Sequence, residues 1–226
     1  MSNWDRFLDT FFNTKVMAKY APDIAYGMLI TVELAALVII TGLAAGLALA
    51  LVRSLAFRPL NLLIVFTIDL FRALPPLVII VFIYFGLPAV DLSPSAFVST
   101  WLSLMFVLMA FSEEIFWAGI TSIPKGQWEA ARSTGLSFGQ TLLNVVLPQA
   151  VRLTIPPLTN RTIAITKGTA LGSVVALNEI LGMASSAVSN SYNPSPLTLG
   201  AGAYLVLFLP MVIVGRWLET RMRWKR

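Results

Sequence analysis

Long apolar runs alternate with short polar breaks along this chain, and the lengths of the runs are those of membrane spans. The opening is different. Trp4, Phe7, Leu8, Phe11 and Phe12 recur at helical spacing, with Asp5, Arg6 and Asp9 between them. Residues 1–22 therefore read as an interfacial amphipathic segment, and the absence of an apolar core in them argues against a cleavable signal peptide. A first span is expected over about Ile24 to Val52, ended by Arg53 and Arg58 and carrying Gly42 and Gly46 as a close-packing pair. A second covers Leu60 to Leu87, with a kink at Pro75-Pro76. Asp91, Ser93 and Pro94 form a short acidic loop before a third span, Ala96 to Ile120. A fourth apolar stretch begins near Val151 and is interrupted by Pro156-Pro157, Gly168 and Gly172; Leu177 to Val188 reads as a separate short helix. The uncharged loop Ser189 to Pro196 precedes a fifth span, Leu197 to Val214.

The polar island between the third and fourth runs, Pro124 to Pro148, has its own signals. Pro124 and Gly126 open a short helix carrying Trp128, Glu129, Ala130, Ala131 and Arg132. Gly135 stands where a left-handed C-terminal cap belongs. Ser137 followed by Gln140 has the form of a capping box for a second helix, which Pro148 stops or kinks. A rigid helical hairpin in the aqueous loop of a membrane protein suits docking.

Composition agrees. Hydrophobic residues make up 57% of the 226 and charged residues 12%, about half the charge of a soluble domain. One membrane domain is expected over 23–226, with its cytoplasmic loop at about 121–150. Cys and His are both absent, which excludes disulfides, thiolate chemistry, His-based metal sites and imidazole catalysis.

The net charge of +5 is placed as topology requires, not as nucleic-acid binding would. Arg53, Arg58, Lys125, Arg132, Arg152 and the tail from Arg216 through Arg221, Arg223, Lys225 and Arg226 fall on one side of five spans. The positive-inside rule makes that side cytoplasmic, the N-terminus external and the polar island internal. No inverted repeat of the secondary-transporter kind is evident.

Charges inside apolar runs are costly and face partners or cavities. Asp69 and Arg72 can pair on one helix face. Of Glu113 and Glu114, at the inner end of the third span, one is expected to face inward. Arg161 and Lys167 lie in the interrupted fourth stretch. Arg72, Glu114, Arg161 and Lys167 together could hold a zwitterion, carboxylate to guanidinium and ammonium to carboxylate; bracing of helix packing is the competing role. Lys167-Gly168-Thr169 lacks the glycine loop that cradles nucleotide phosphates, and no catalytic set is present.

The pattern Glu129-Ala130-Ala131, Gly135, then Val145-x-Leu147-Pro148 resembles the signature cytoplasmic loop of ABC-importer permeases, with Val145 in place of the usual Ile. Phe71-Arg72-Ala73-Leu74-Pro75-Pro76-Leu77-Val78, Tyr84-Phe85-Gly86-Leu87-Pro88, Ile120-Thr121-Ser122-Ile123-Pro124-Lys125-Gly126-Gln127 and Asn160-Arg161-x-Ile163 with Lys167-Gly168-Thr169-Ala170-Leu171 are similar to segments of the polar amino-acid uptake subfamily. Gly168, Ala170 and Trp117 depart from it. The resemblance implies an all-α integral membrane chain with the five-helix type I importer fold. It implies residence in the bacterial inner membrane and transport of polar amino acids or their derivatives without enzymatic activity of its own. It also implies a second permease subunit (the same chain or another), two ABC ATPase subunits that hold the ATP-Mg, and a periplasmic or lipoprotein substrate-binding protein. This chain would bind no cofactor or metal. ATPase coupling would fall to Gln127, Glu129, Ala130, Ala131, Gly135, Leu147 and Pro148. Asp69, Arg72, Glu114, Arg161 and Lys167 are the candidate substrate pathway. The alternative reading is an ion-coupled secondary transporter.

Overall fold

The computed structural model describes residues 2–222, and every regular element among them is a helix. Arg223, Lys225 and Arg226, which enter the charge argument above, lie outside the described residues. In order, the helices are α1 (Asn3–Phe11), α2 (Thr14–Arg53), α3 (Arg58–Ala73), α4 (Pro76–Val81), α5 (Ala96–Ser122), α6 (Lys125–Ser133), α7 (Phe138–Thr141), α8 (Leu147–Thr166), α9 (Ile180–Ser191) and α10 (Ser195–Met222). By length and composition, four helical runs among the described residues suffice to cross a membrane, and a fifth is obtained if α3 and 76–90 count as one broken span.

Four elements differ from what hydropathy suggested. α2 begins at Thr14 and runs through Pro22, so 14–22 continue the first long helix. Proline within the first turns of a helix costs little where the preceding N–H groups have no partner to lose, but Pro22 lies deeper and must be carried by the rest of a very long helix. The second span is broken, not merely kinked: Leu74 and Pro75 are both extended, and Pro76 opens α4 as an N-terminal proline. Conversely, α8 passes through Pro156 and Pro157 without a break, flanked by the Thr154 and Thr159 hydroxyls, which donate to the Val151 and Ile155 carbonyls. The irregular segment comes later, as a tight 3-10 stretch over Lys167–Val175 that ends on left-handed Ala176. α9 then spans Ile180–Ser191, shorter at its start than the apolar run suggests because Glu179 caps it there, and longer at its end, where left-handed Tyr192 closes it.

The chain forms two compact units, and its long helices contribute residues to both. One unit comprises 1–39, 75–104 and 165–212. Its core joins Ile24, Ile180, Ala184 and Ala203, with Met28, Leu199 and Leu207 around them. The Thr31 hydroxyl donates to the Gly27 carbonyl at 2.9 Å and accepts from Ile180 N–H at 3.4 Å. The other unit comprises 40–74, 105–164 and 213–226. Here α2 meets α5 at the glycine pair. A Cβ on Gly42 would stand 2.9 Å from the Leu108 side chain, and one on Gly46 would stand 2.8 Å from the Met109 carbonyl oxygen. Helices this close gain dispersion contacts that lipid cannot supply. Leu62, Phe66, Leu205, Val206 and Ile213 stay exposed, as outward faces do when the solvent is hydrocarbon.

Candidate functional site

The polar island folds as the hairpin its sequence signals. Pro124 precedes α6, and the chain leaves that helix through Gly135 at φ +90°. Ser137 Oγ accepts from Gln140 N–H, while Gln140 Oε1 accepts from Ser137 N–H at 2.9 Å, closing the capping box of α7. Trp128 stacks on Phe138 at 5.6 Å, which holds the two short helices against each other. Beneath them lies a core of Ala50, Phe116, Ile120, Ile123, Leu142, Val146 and Ala150, into which Trp128 packs.

This packing divides the Glu-Ala-Ala motif. Ala131 faces the core, while Glu129 and Ala130 face outward together with Gln127, Arg132 and Gly135. Among the described residues Glu129 and Arg132 have no salt-bridge partner. Uncommitted charge on a rigidly seated helix is what a docking surface offers. Gln127 lines a cavity of about 330 Å³ together with Gln149 and Arg152.

Pro148 does not stop the helix that follows. A wide π turn over Leu142–Val146 precedes it, and Leu147 and Pro148 open α8. The ring cannot donate a hydrogen bond and would clash with a carbonyl one turn back, and the wider turn relieves both demands. Gln149 Nε2 then donates to the Val145 carbonyl at 2.7 Å.

Four of the five candidate pathway residues belong to this same unit. Arg72 pairs with Glu114 at 2.7 Å and only loosely with Asp69 at 3.8 Å. The local pair on α3 is thus the weaker of the two. Arg72 and Arg161 both lie over the Phe111 ring, at 5.4 and 3.7 Å from its centroid. Arg161 has no carboxylate partner among the described residues. Lys167 belongs to the other unit and lines a cavity of about 620 Å³ with Tyr204, Phe208 and Leu209 of α10.

Of the adjacent glutamates, Glu113 is the buried one. It is 0% exposed and receives both oxygens' contacts from Arg53 Nη1, at 3.1 and 3.2 Å. The Arg53 guanidinium also covers the Trp117 ring at 4.7 Å. Arg53, read from sequence as a flanking charge, thereby ties the end of α2 to α5. A second buried carboxylate, Glu179, escaped the sequence reading. It caps α9 through Gly182 N–H at 2.8 Å and accepts from the Tyr204 hydroxyl, which itself accepts from Leu181 N–H. The available signal was an acid directly before the apolar Ile180-Leu181, since N-caps favour side-chain oxygens.

Comparison with known proteins decides the family. Residues 39–224 match the model of the binding-protein-dependent transport system inner membrane component. The chain belongs to this family. The permease is 35% identical over 178 residues to the probable glutamine ABC transporter permease protein GlnM of Bacillus subtilis (strain 168), covering 78% of this chain and 82% of that one. It is 31% identical over 204 residues to the arginine transport system permease protein ArtQ of the same organism, covering 89% and 93%. The crystal structure of an amino acid ABC transporter with histidines superposes with a TM-score of 0.82 at 30% identity, covering 91% of this chain and 96% of the other. The permease therefore has the type I importer fold and is a transport component of a binding-protein-dependent system, not an enzyme.

Proposed function

We propose that this permease imports polar amino acids or amino-acid derivatives, driven by a separate ATPase that docks on α6. The carrying observation is the hairpin itself: Glu129 and Ala130 face outward on a helix fixed by Ala131, Trp128 and the left-handed turn at Gly135. Leu147 and Pro148 at the head of α8 make the hairpin continuous with a long helix, so a push on α6 reaches the transmembrane region. The substrate class follows from relatives named for glutamine and arginine. The assembly is two permease subunits, two ATPase subunits and an external binding protein, in the bacterial inner membrane. In this reading α3 and 76–90 count as one broken span, giving five, with the N-terminus outside and the C-terminal side in the cytoplasm; the basic residues Arg53, Arg58, Lys125, Arg132 and Arg152 on one side support that orientation.

Asp69, Arg72, Glu114 and Arg161 are the candidate path residues of one unit. Lys167, the fifth candidate, lines the cavity beside α10 within the other unit. Glu114 is half-exposed and can exchange Arg72 for a substrate ammonium. Arg161 offers its guanidinium to a carboxylate. Reconstitution tests the reading. The permease alone in proteoliposomes should neither hydrolyse ATP nor accumulate amino acids. Adding its ATPase and binding protein should give substrate-stimulated hydrolysis and uptake. Uptake by the lone chain driven by an ion gradient would refute it.

A further inference from the structure

α1 leaves an aromatic face uncovered. Trp4, Phe7, Leu8 and Phe11 occupy one stripe of this nine-residue helix, Phe12 continues it, and all five are exposed. The rings gather around Phe7, with Trp4 at 5.5 Å, Phe11 at 5.3 Å and Phe12 at 6.1 Å. Asp5, Arg6, Asp9 and Thr10 take the opposite side. A capping box between Ser2 and Asp5 closes the first turn of α1. An exposed aromatic stripe of this kind needs a covering neighbour.

The depth of α1 is set from the far end of the sequence. The Ser195 hydroxyl donates to the Thr10 carbonyl at 3.1 Å and accepts from Asn13 N–H at 2.9 Å. Asn193 Nδ2 donates to the Asp9 carbonyl at 2.9 Å, and Asn193 Oδ1 accepts from Ser195 N–H at 2.9 Å. Ser195 is fully buried and is the first residue of α10. From Ser195 the chain carries no charge until Arg216. At helical rise that run is about 30 Å long, the thickness of the hydrocarbon core. With Arg216 at one boundary of the core, Ser195 stands at the other, and its hydrogen bonds hold the last turn of α1 at the same level.

We propose that α1 lies in the outer headgroup–acyl boundary of the bilayer, aromatic face toward the lipid, locked to the start of α10 by Asn13, Asn193 and Ser195. Placement at the outer face rests on the orientation proposed above, and seating at the bilayer boundary rests on the aromatic stripe of α1 and its hydrogen bonds to the start of α10. Lipid is the occupant that fits both the depth and the residue types, because Trp and Phe beside a charged face favour that zone. The lock makes α1 a lipid-borne strut for the turn between α9 and α10.

The chain contains no cysteine, so single cysteines can be introduced directly and spin-labelled. Trp4→Cys, Arg6→Cys, Phe7→Cys, Asp9→Cys and Phe11→Cys are made in the full permease, assembled with its ATPase in liposomes. Collision rates with oxygen and with a water-soluble nickel chelate are then measured. Oxygen should dominate at 4, 7 and 11, and the chelate at 6 and 9. Equal chelate access on both faces would overturn the proposal, as would protection appearing only when the binding protein is added. In Ser195→Ala and Asn193→Ala the alternation should flatten; its survival intact in both would refute the lock. A membrane-impermeant thiol reagent should modify Arg6→Cys in intact cells. Modification only after the cells are opened would refute the outer placement through the orientation, whereas lost alternation refutes it through α1.

Discussion

Gly135 offers a test in which backbone strain is isolated from packing. Its φ is +90°, yet a Cβ built there would meet no atom within 4 Å. A substitution therefore clashes with nothing and pays only for the left-handed backbone, about 1–2 kcal/mol for an ordinary L-residue. That is small against the 5–15 kcal/mol stability of a typical fold, but it is about a 5–30-fold change in a local equilibrium. The contacts that hold the hairpin are of the same order: about 1 kcal/mol for the Ser137 cap and roughly 0.5–1.5 kcal/mol for the Trp128–Phe138 stack. Strain of this size can reorient α6 while the spans stay folded. Gly135→Val should leave membrane insertion and yield nearly normal, reduce co-purification of the ATPase per permease recovered, and lower uptake sharply. Gly135→Asn should retain much more of both, because Asn tolerates the left-handed region. Undiminished co-purification and uptake in Gly135→Val would refute the coupling role. Equal damage from Asn and Val would refute the backbone argument even if the loop still couples.

Glu129→Ala should weaken ATPase retention more mildly than Gly135→Val, since a single outward carboxylate is removed and the backbone is unchanged; the same pull-down measures it. Arg53→Met should destabilise the permease by about 3 kcal/mol, because it strands the buried Glu113 carboxylate, and adding Glu113→Leu should restore most of the loss; unfolding in detergent measures the cycle. Gly46→Val should cost about 1–3 kcal/mol by forcing a side chain against the Met109 carbonyl, while Gly126→Ala, with open space around it, should be neutral or slightly stabilising in the same assay. Glu114→Gln and Arg161→Gln should each impair uptake while leaving ATPase retention intact; normal uptake and unchanged substrate preference in both would make these charges structural.

Apolar run length, the spacing of the Glu-Ala-Ala loop and the local capping residues are short-range properties, and they were legible in the chain itself. Run length against bilayer thickness gave the helical class and the approximate spans. Ser137-Gln140 and Gly135 gave the hairpin, because a cap and a left-handed turn each depend on only a few neighbouring residues. Prolines were harder to read: Pro75 breaks a span, Pro156-Pro157 do not, and Pro148 opens a helix behind a π turn. What a proline does depends on whether neighbouring backbone and side chains satisfy the carbonyls it frees, and those neighbours are set by packing. Partner choice among charges was likewise a tertiary matter. Arg72 takes Glu114 over the nearer-in-sequence Asp69, Arg53 takes Glu113, and Glu179 finds Tyr204. Sequence determines that costly charges sit within apolar runs; only the folded helices decide which guanidinium comes within hydrogen-bonding reach of which carboxylate, because that requires distance and direction between segments far apart in the chain.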